Sequence, residues 1–242
     1  MKSTPASRPD RVRAVLFDMG YTLVYFDPPQ ETIVQTVMHA AGVPVTIEQI
    51  GRATEAVWGR YYKDAETATF PATPEYDAQT QKELGLRMLA QLGLEGDEST
   101  FQSYTDALET EFNRPGTIRP YPEVKSVLDA LQERGLRLGI VSNWSWNLRD
   151  RVAQAGLDGY FELIWASAYA GRHKPHPEIF HQALNKMGIS PQDALYVGDS
   201  HWHDIVGARG AGLSAVLVDR EGTADDPDCP VIRDLRGLLE LL

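Results

Sequence analysis

The sequence predicts an α/β fold, a doubly wound parallel sheet with an inserted all-helical cap domain. Residues 118–242 alternate between short apolar runs and segments with apolar residues at helical spacing. Such alternation is typical of a parallel sheet flanked by helices. Residues 28–113 instead show helical patterns and little that resembles a strand. The helical stretch is therefore interpreted as an insertion into the chain of the sheet domain.

The first predicted element is a strand at residues 12–18, VRAVLFD, which ends in Asp18. This pattern is typical of a buried strand whose carboxyl end meets a functional loop. The residues before it, 1–11, are polar and contain two prolines, so we expect a flexible tail. The chain then divides into a core at 12–26 and 118–242 and a helical cap at 27–117.

The remaining elements follow from apolar spacing and from residues that start or stop helices. In the cap, helical segments begin at 28, 46, 74 and 97. In the core, helices are predicted at 122–135, 147–156, 176–188, 203–212 and 231–242, and strands at 136–142, 161–167, 194–198 and 214–218. Ligands bind beyond the carboxyl ends of the strands in such sheets. The residues there are Asp18, Ser142, Asp199 and the loop that contains Lys174.

Composition excludes several classes of protein. A formal net charge of −11 repels phosphate backbones, so nucleic acid is not an expected partner. No apolar run approaches the roughly 20 residues that span a bilayer, and no secretory signal is evident, so neither a membrane anchor nor export is expected. The single cysteine, Cys229, cannot form an internal disulfide, which fits a cytoplasmic protein, and no catalytic role is expected for it.

Four stretches carry a family resemblance: VLFDMGYTL, GIVSN, GRHKPHPEIF and YVGDSHWHDIVGARGAG. In this order they resemble the four motifs of the haloacid dehalogenase (HAD) superfamily, over residues 13–26 and 118–220. The resemblance implies a Rossmann-like core with a subfamily I helical cap. It also implies a hydrolase, specifically a phosphatase, that acts on a small phosphorylated molecule and uses Mg²⁺.

The resemblance assigns roles to individual residues. Asp18 matches the nucleophile, which forms an aspartyl phosphate and so divides hydrolysis into two easier steps. Lys174 matches the lysine that offsets charge repulsion at the phosphate. Thr22 and Ser142 match hydroxyl groups that bind phosphoryl oxygens, and Asn143 is expected on the substrate side. Turn or cap hydrogen bonds are the alternative for both hydroxyl groups.

The same resemblance implies a Mg²⁺ site, since this ion binds through a few carboxylates together with water and substrate phosphate. The expected ligands are Asp18, Asp199, Asp204 and the backbone carbonyl of Gly20. Asp204 is expected to bind directly or through water, unless it is only an acid at a helix start.

The chain departs from the family at Gly20. The family's phosphatases have an aspartate at this position, which acts as general acid and base; such catalysis contributes typically about 10²–10⁴-fold. Three explanations remain open: a substrate with a good leaving group, a replacement acid such as Tyr21, Asp27, His173 or a cap residue, or lost or altered catalysis.

Two rival functions also remain open. Haloacid dehalogenases lack the second aspartate too, but they need no Mg²⁺ and have asparagine where this chain has Asp199. A catalytically weak member would bind a small phosphate or a protein partner. The substrate and the oligomeric state are not predicted.

Several side chains near the motifs have no assigned role. Arg172 and His173 are candidate substrate contacts. His201 and His203 are not expected to bind zinc, because no third ligand is evident. Two further sets either line a binding site or pack in a core: Trp144, Trp146 and Trp202 near the motifs, and Trp58, Arg60, Tyr61, Tyr62 and Lys63 in the cap.

Overall fold

The structure is a computed structural model that describes residues 12–94, 97–225 and 227–242. The tail predicted at 1–11 therefore lies outside the described residues. The chain divides into two compact units. The first, here called the core unit, runs to Val24 and resumes at Pro120. The second, the helical unit, spans Tyr25–Arg119.

The core unit is built on a parallel sheet of six strands, which confirms the predicted fold class. Its strands are β1 (Ala14–Phe17), β4 (Arg137–Ser142), β5 (Leu163–Ala166), β6 (Ala194–Gly198), β7 (Ser214–Val218) and β8 (Val231–Ile232), in the order β5-β4-β1-β6-β7-β8. Two further strands, β2 (Val24–Phe26) and β3 (Ile118–Pro120), form a small separate sheet.

Strand β1 lies in the interior of the sheet because all four of its side chains are apolar and fully buried. It pairs with β4 on one side and β6 on the other. The chain therefore runs outward from β1 to one edge of the sheet and returns to build the other edge. This reversal is the position at which open parallel sheets bind ligands, beyond the carboxyl ends of the strands.

Helices follow the strands of the core unit. They are α6 (Val124–Glu133), α7 (Leu148–Gln154), α8 (Ser167–Ala170), α9 (Pro177–Met187), α10 (Gly207–Gly210) and α11 (Leu238–Leu241). In α9, proline stands at the helix start, where no backbone donor is needed, and Gly188 ends the helix in the left-handed conformation. The buried residues of α9, among them Ile179 and Phe180, join the main core cluster with Leu16 and Tyr196.

The helical unit contains α1 (Gln30–Ala40), α2 (Ile47–Thr54), a π-helical turn (Glu55–Gly59), α3 (Arg60–Ala65), α4 (Pro74–Gln91) and α5 (Glu98–Phe112). Thr46, Thr73 and Asp97 cap α2, α4 and α5 with their side chains. The unit has an apolar core of its own, and Trp58 and Tyr61 pack against that core.

Two parts of the core unit differ from the sequence prediction. The helix predicted at 231–242 is wrong for its first half, because Val231 and Ile232 extend the sheet as β8 and the helix α11 begins only at Leu238. The helix predicted at 203–212 is a π-helical turn at His201–Val206 followed by α10. Among the described residues, no helix combines the length and the apolar character needed to cross a membrane.

Candidate active site

Three sequence-predicted site residues stand at the carboxyl ends of adjacent strands. Asp18 directly follows β1, Ser142 is the last residue of β4, and Asp199 directly follows β6. The backbone N–H of Asp18 donates to the carbonyl of Val197 at 2.9 Å, which continues the pairing of β1 with β6. The parallel sheet thus brings these residues to one edge although they are far apart in sequence.

Lys174 lies buried at the centre of this site, with 3% of its side chain exposed. Its Nζ donates to Oδ1 of Asp18 at 2.6 Å, to Oδ1 of Asp204 at 2.6 Å and to the Tyr196 hydroxyl at 2.9 Å. All three hydrogens of the ammonium group are therefore directed to oxygen atoms. The predicted proximity of Lys174 to Asp18 is present in the structure.

Burial and charge act against each other in this ion pair. Burial alone would lower the pKa of Lys174, but the carboxylates of Asp18 and Asp204 outweigh it and hold that pKa above its usual range. Burial raises the pKa of Asp18, with Asp204 adding to the rise, while Lys174 and a hydrogen bond with Ser142 oppose it. Lys174 is therefore a fixed positive charge beside a desolvated carboxylate, an environment in which a carboxylate is a stronger nucleophile than in water.

Tyr196 belongs to this cluster, although the sequence prediction placed it only in a strand. Its hydroxyl donates to the carbonyl of Val141 at 2.6 Å, accepts from Lys174 and lies 3.2 Å from Oδ1 of Asp204. The ring is fully buried and packs edge-on against Phe180 at 5.0 Å. A buried tyrosine hydroxyl requires hydrogen-bond partners. A tyrosine within a predicted buried strand could therefore have indicated that its hydroxyl bonds to polar groups nearby.

Asp199 lies at the more exposed side of the site. Thr22 donates its hydroxyl to Oδ1 of Asp199 at 3.0 Å, and Thr22 is itself fully buried. Although solvent reaches this residue, the surrounding protein desolvates its carboxyl group, and together with the charges of Asp18 and Asp204 this raises the pKa of Asp199 to about 7. Thr22 thus contacts Asp199 through its hydroxyl group, and its predicted contact with a phosphoryl oxygen stays a prediction.

Asp204 has partners within the protein on both carboxylate oxygens. Oδ1 accepts from Lys174, and Oδ2 accepts from the backbone N–H of Ser200 at 2.9 Å. The carboxyl group packs directly on Gly198, where an added Cβ would lie 2.3 Å from Cγ of Asp204. A glycine at the end of β6 is therefore required for Asp204 to reach Lys174.

Asn143 contacts the backbone of the lysine loop. Its Nδ2 donates to the carbonyl of Lys174 at 3.0 Å, and its Oδ1 accepts from the N–H of the same residue at 2.7 Å. The sequence prediction placed Asn143 on the substrate side. In the structure its amide group fixes the position of Lys174 relative to the end of β4.

The surroundings of Gly20 include the Trp144 ring and the backbone of Tyr21. A Cβ added at Gly20 would meet the Trp144 ring at 3.5 Å, which is ordinary van der Waals contact. Left-handed backbone occurs at the next residue, Tyr21, with φ of 55°. Since L side chains rarely adopt that conformation, the strained position of this loop is Tyr21 rather than Gly20.

The three candidate replacement acids have different surroundings. Tyr21 is 45% exposed. Asp27 belongs to the helical unit, where it pairs with Arg119 at 3.3 Å. Burial and the neighbouring His203 lower the pKa of His173 to about 4, so its imidazole is neutral at pH 7 and does not carry the proton that a general acid must supply.

His201 has neighbours that the sequence did not indicate. Its ring nitrogen, a side-chain oxygen of Asp228 and the Cys229 sulfur lie within 4.8 Å of one another. However, Asp228 already bonds with His201 and Arg209, each at 3.0 Å, and burial raises the pKa of the Cys229 thiol. We interpret this cluster as a surface ion-pair network, because a thiol that stays protonated is a poor metal ligand.

A separate cluster offers only oxygen donors. Carboxylate oxygens of Asp18, Asp199 and Asp204 lie within 4.8 Å of one another. Three carboxylates and one lysine leave an excess of negative charge when all are ionised. Oxygen ligands of this kind suit a hard divalent cation.

Comparison with known proteins agrees with this geometry. The family model for haloacid dehalogenase-like hydrolases matches residues 12–212. A phosphoserine phosphatase of Thermus thermophilus is 30% identical, over 93% of this chain and 97% of that protein. Haloacetate dehalogenase H-2 of a Moraxella species is 34% identical, over 56% of this chain and 58% of that protein.

Among solved structures, the HAD-hydrolase YfnB of Bacillus subtilis, bound to magnesium, has the same fold. Its TM-score is 0.76 at 22% identity, over 96% of this chain and 99% of that one. The fold, the strand-end carboxylates and the family match over most of the chain lead to one conclusion. This protein belongs to the haloacid dehalogenase-like hydrolases.

Proposed function

We propose that this hydrolase is a Mg²⁺-dependent phosphatase that transfers the phosphoryl group of a small molecule to Asp18 and then to water. The observation that carries the proposal is the buried contact between Asp18 and Lys174, beside two further carboxylates. A desolvated carboxylate with a fixed cation is suited to attack on phosphorus. The 30% identical phosphoserine phosphatase supports phosphate chemistry.

The three clustered carboxylates fit Mg²⁺ in donor type and in mutual distance. Asp18 and Asp199 would hold the ion, with the Gly20 carbonyl as a further ligand. Asp204 would contribute from its place between Lys174 and Ser200, directly or through water. When bound, the ion would supply positive charge that stabilises the phosphoryl oxygens in the transition state.

The protein's own side chains have different roles in the transfer of the phosphoryl group. A carboxylate oxygen of Asp18 forms a bond to phosphorus while the bond from phosphorus to the leaving oxygen breaks. Lys174 balances the negative charge of Asp18 and of the phosphoryl group. Asn143 and Tyr196 keep Lys174 in place. Water then attacks the aspartyl phosphate, which returns the carboxylate and releases inorganic phosphate.

Gly20 limits the choice of substrate. Without an acid at this position the leaving oxygen departs as an anion, so the reaction favours phosphates with stable leaving groups. General acid catalysis typically contributes about 10²–10⁴-fold, which is the disadvantage expected for simple alkyl esters. We assign selection among these phosphorylated molecules to the helical unit as the cap.

The experiment that tests the proposal is hydrolysis of a phosphate panel with and without Mg²⁺. The panel contains acetyl phosphate, p-nitrophenyl phosphate and sugar phosphates, with 2-chloropropionate as a test of dehalogenase activity. We expect Mg²⁺-dependent release of phosphate that is fastest for the activated substrates. Asp18→Asn should abolish it, while Asp158→Asn, at an exposed position, should not.

Other outcomes would overturn the proposal. Release of chloride without metal would assign the protein to the dehalogenases, such as its Moraxella relative. Phosphate release that survives Asp18→Asn would exclude the aspartyl phosphate. No turnover of any substrate would favour the function of a binding protein.

A further inference from the structure

The indole of Trp144 occupies the space beside the nucleophile loop in which the family's acid is absent. The ring lies 3.5 Å from the position that a Cβ of Gly20 would take. Trp144 is only partly buried. It lies two residues beyond Ser142, the last residue of β4, whose side chain hydrogen-bonds with Asp18. An apolar ring therefore lies in van der Waals contact with the position from which a side chain at residue 20 would extend.

Hydrogen bonds fix Trp144 in this place. The buried Ser167 accepts from its backbone N–H and donates to its carbonyl, each at 3.1 Å. The indole Nε1 donates to Oδ1 of Asn147 at 3.0 Å, and Ser145 donates to the same oxygen at 2.9 Å. The ring is thus held at both its backbone and its polar end, which is the support expected of a preorganised binding group.

The orientation of the indole also determines what it offers to a ligand. Because its only N–H is directed to Asn147, the ring presents no hydrogen-bond donor to a substrate. It offers apolar area and an aromatic face, which bind another ring in a stacked or edge-on arrangement. A polar leaving group such as a sugar alcohol would find no partner on this side chain.

From these observations we infer that Trp144 is the contact surface for an aromatic leaving group and that the substrate is an aryl phosphate. The inference rests on the proposed phosphatase function and narrows it. A phenol titrates near pH 10, as tyrosine does, so a phenolate leaves without the proton that Gly20 cannot supply. The missing acid and the fixed indole thus favour the same class of substrate.

The reaction balances without a general acid. The Asp18 carboxylate forms an O–P bond as the bond between phosphorus and the aryl oxygen breaks, and the electron pair remains on the phenolate. The phenolate takes its proton from solvent. Water then attacks the aspartyl phosphate, and its protons remain with the phosphate that is released.

The first test compares an aromatic with a non-aromatic activated substrate. The ratio of kcat/KM for p-nitrophenyl phosphate to that for acetyl phosphate should fall about tenfold in Trp144→Leu and change little in Trp144→Phe. Trp146→Leu is the matched control, because this indole packs edge-on against Tyr169 at 4.9 Å. An unchanged ratio in Trp144→Leu, or an equal fall in the Trp146 control, overturns the inference.

The second test measures binding and needs no turnover. Phenylphosphonate should bind more tightly than methylphosphonate, measured by calorimetry with Mg²⁺ present, and Trp144→Leu should remove most of the difference. Equal affinities in the unmodified protein overturn the inference. If no phosphate on the panel is hydrolysed but phenylphosphonate is still preferred, the proposed function fails while Trp144 keeps its role as an aromatic contact.

Discussion

The core unit and the helical unit differ in where their paired charged side chains lie. The core unit buries Lys174 in contact with two carboxylates, with 3% of the lysine side chain exposed. The helical unit has its ion pairs nearer the surface, several of them one helical turn apart, such as Arg52–Glu48 and Arg60–Asp64, and its core cluster is apolar. Buried charge is costly unless it is paired, so its presence marks chemistry rather than stability.

The largest effect that should follow from this contrast is that of Lys174→Met. The change leaves Asp18 and Asp204 buried without their cation, so we expect the free energy of unfolding to fall by about 3–5 kcal/mol. Phosphate turnover should be lost as well. Urea denaturation measures the first effect and acetyl phosphate hydrolysis the second.

Lys186→Met provides the matched control for this variant. Lys186 is exposed and its Nζ lies 4.4 Å from the centre of the Trp165 ring, a contact worth about 0.5–1 kcal/mol. Equal destabilisation by the two changes would contradict the distinction between buried and exposed charge.

A smaller loss is expected from Gly198→Ala. The new Cβ would lie 2.3 Å from Cγ of Asp204, so Asp204 or the backbone must move, at a cost of about 1–3 kcal/mol. Turnover should fall with stability because Asp204 would leave Lys174 and Ser200. Gly210→Ala is the control, since a Cβ there meets no atom within 4 Å. Thermal melts of both variants would test this, and wild-type stability of Gly198→Ala would contradict the role of Gly198.

Returning the missing acid should have an effect of about tenfold. Gly20→Asp places a carboxyl group against the Trp144 ring, so we expect little gain in hydrolysis of an alkyl phosphate from this change alone. In a Trp144→Ala background the same aspartate should raise kcat by at least about tenfold, within the range of general acid catalysis. The four proteins form a double-mutant cycle, and additive effects would show that the indole does not obstruct residue 20.

The smallest effect is expected in the helical unit. Glu48→Gln breaks the exposed pair with Arg52 on α2 and should lower stability by no more than about 0.5 kcal/mol, an effect that salt screens further. Turnover should not change. Thermal melts at low and high ionic strength measure the contribution of this ion pair to stability. A loss of stability as large as that from Lys174→Met would contradict the contrast between the two units.

Much of the core unit could be predicted from sequence because its strands are short apolar runs between strong helix signals. The ends of β1, β4 and β6 placed Asp18, Ser142 and Asp199 at one edge without any structure. The end of the chain could not be predicted in this way. The segment 231–242 has apolar residues at helical spacing, but the backbone of Val231 and Ile232 pairs with β7. Local spacing does not report such a long-range contact.

Within the site, the sequence indicated which residues meet but not how they share hydrogen bonds. Asn143 was predicted on the substrate side and Thr22 at a phosphoryl oxygen, and both stay predictions. The sequence did not indicate that Asn143 bonds to the backbone of Lys174 or that Thr22 donates to Asp199. Tyr196 was missed because apolar spacing predicts only the strand at 194–198 and does not report the hydrogen bonds of a hydroxyl group. The position of Trp144 beside Gly20 depends on loop geometry set by Ser167, a residue 23 positions away that no local pattern connects to it.

The central position of β1 in the sheet determines how local unfolding affects Asp18. The backbone N–H of Asp18 is bonded to the neighbouring strand β6 at 2.9 Å, and β1 is paired on both sides. In hydrogen exchange this amide should be among the slowest, exchanging only when the whole sheet opens. Asp18, the proposed nucleophile, therefore keeps its position as long as the core unit stays folded, and fraying of the outer strand β8 leaves it in place.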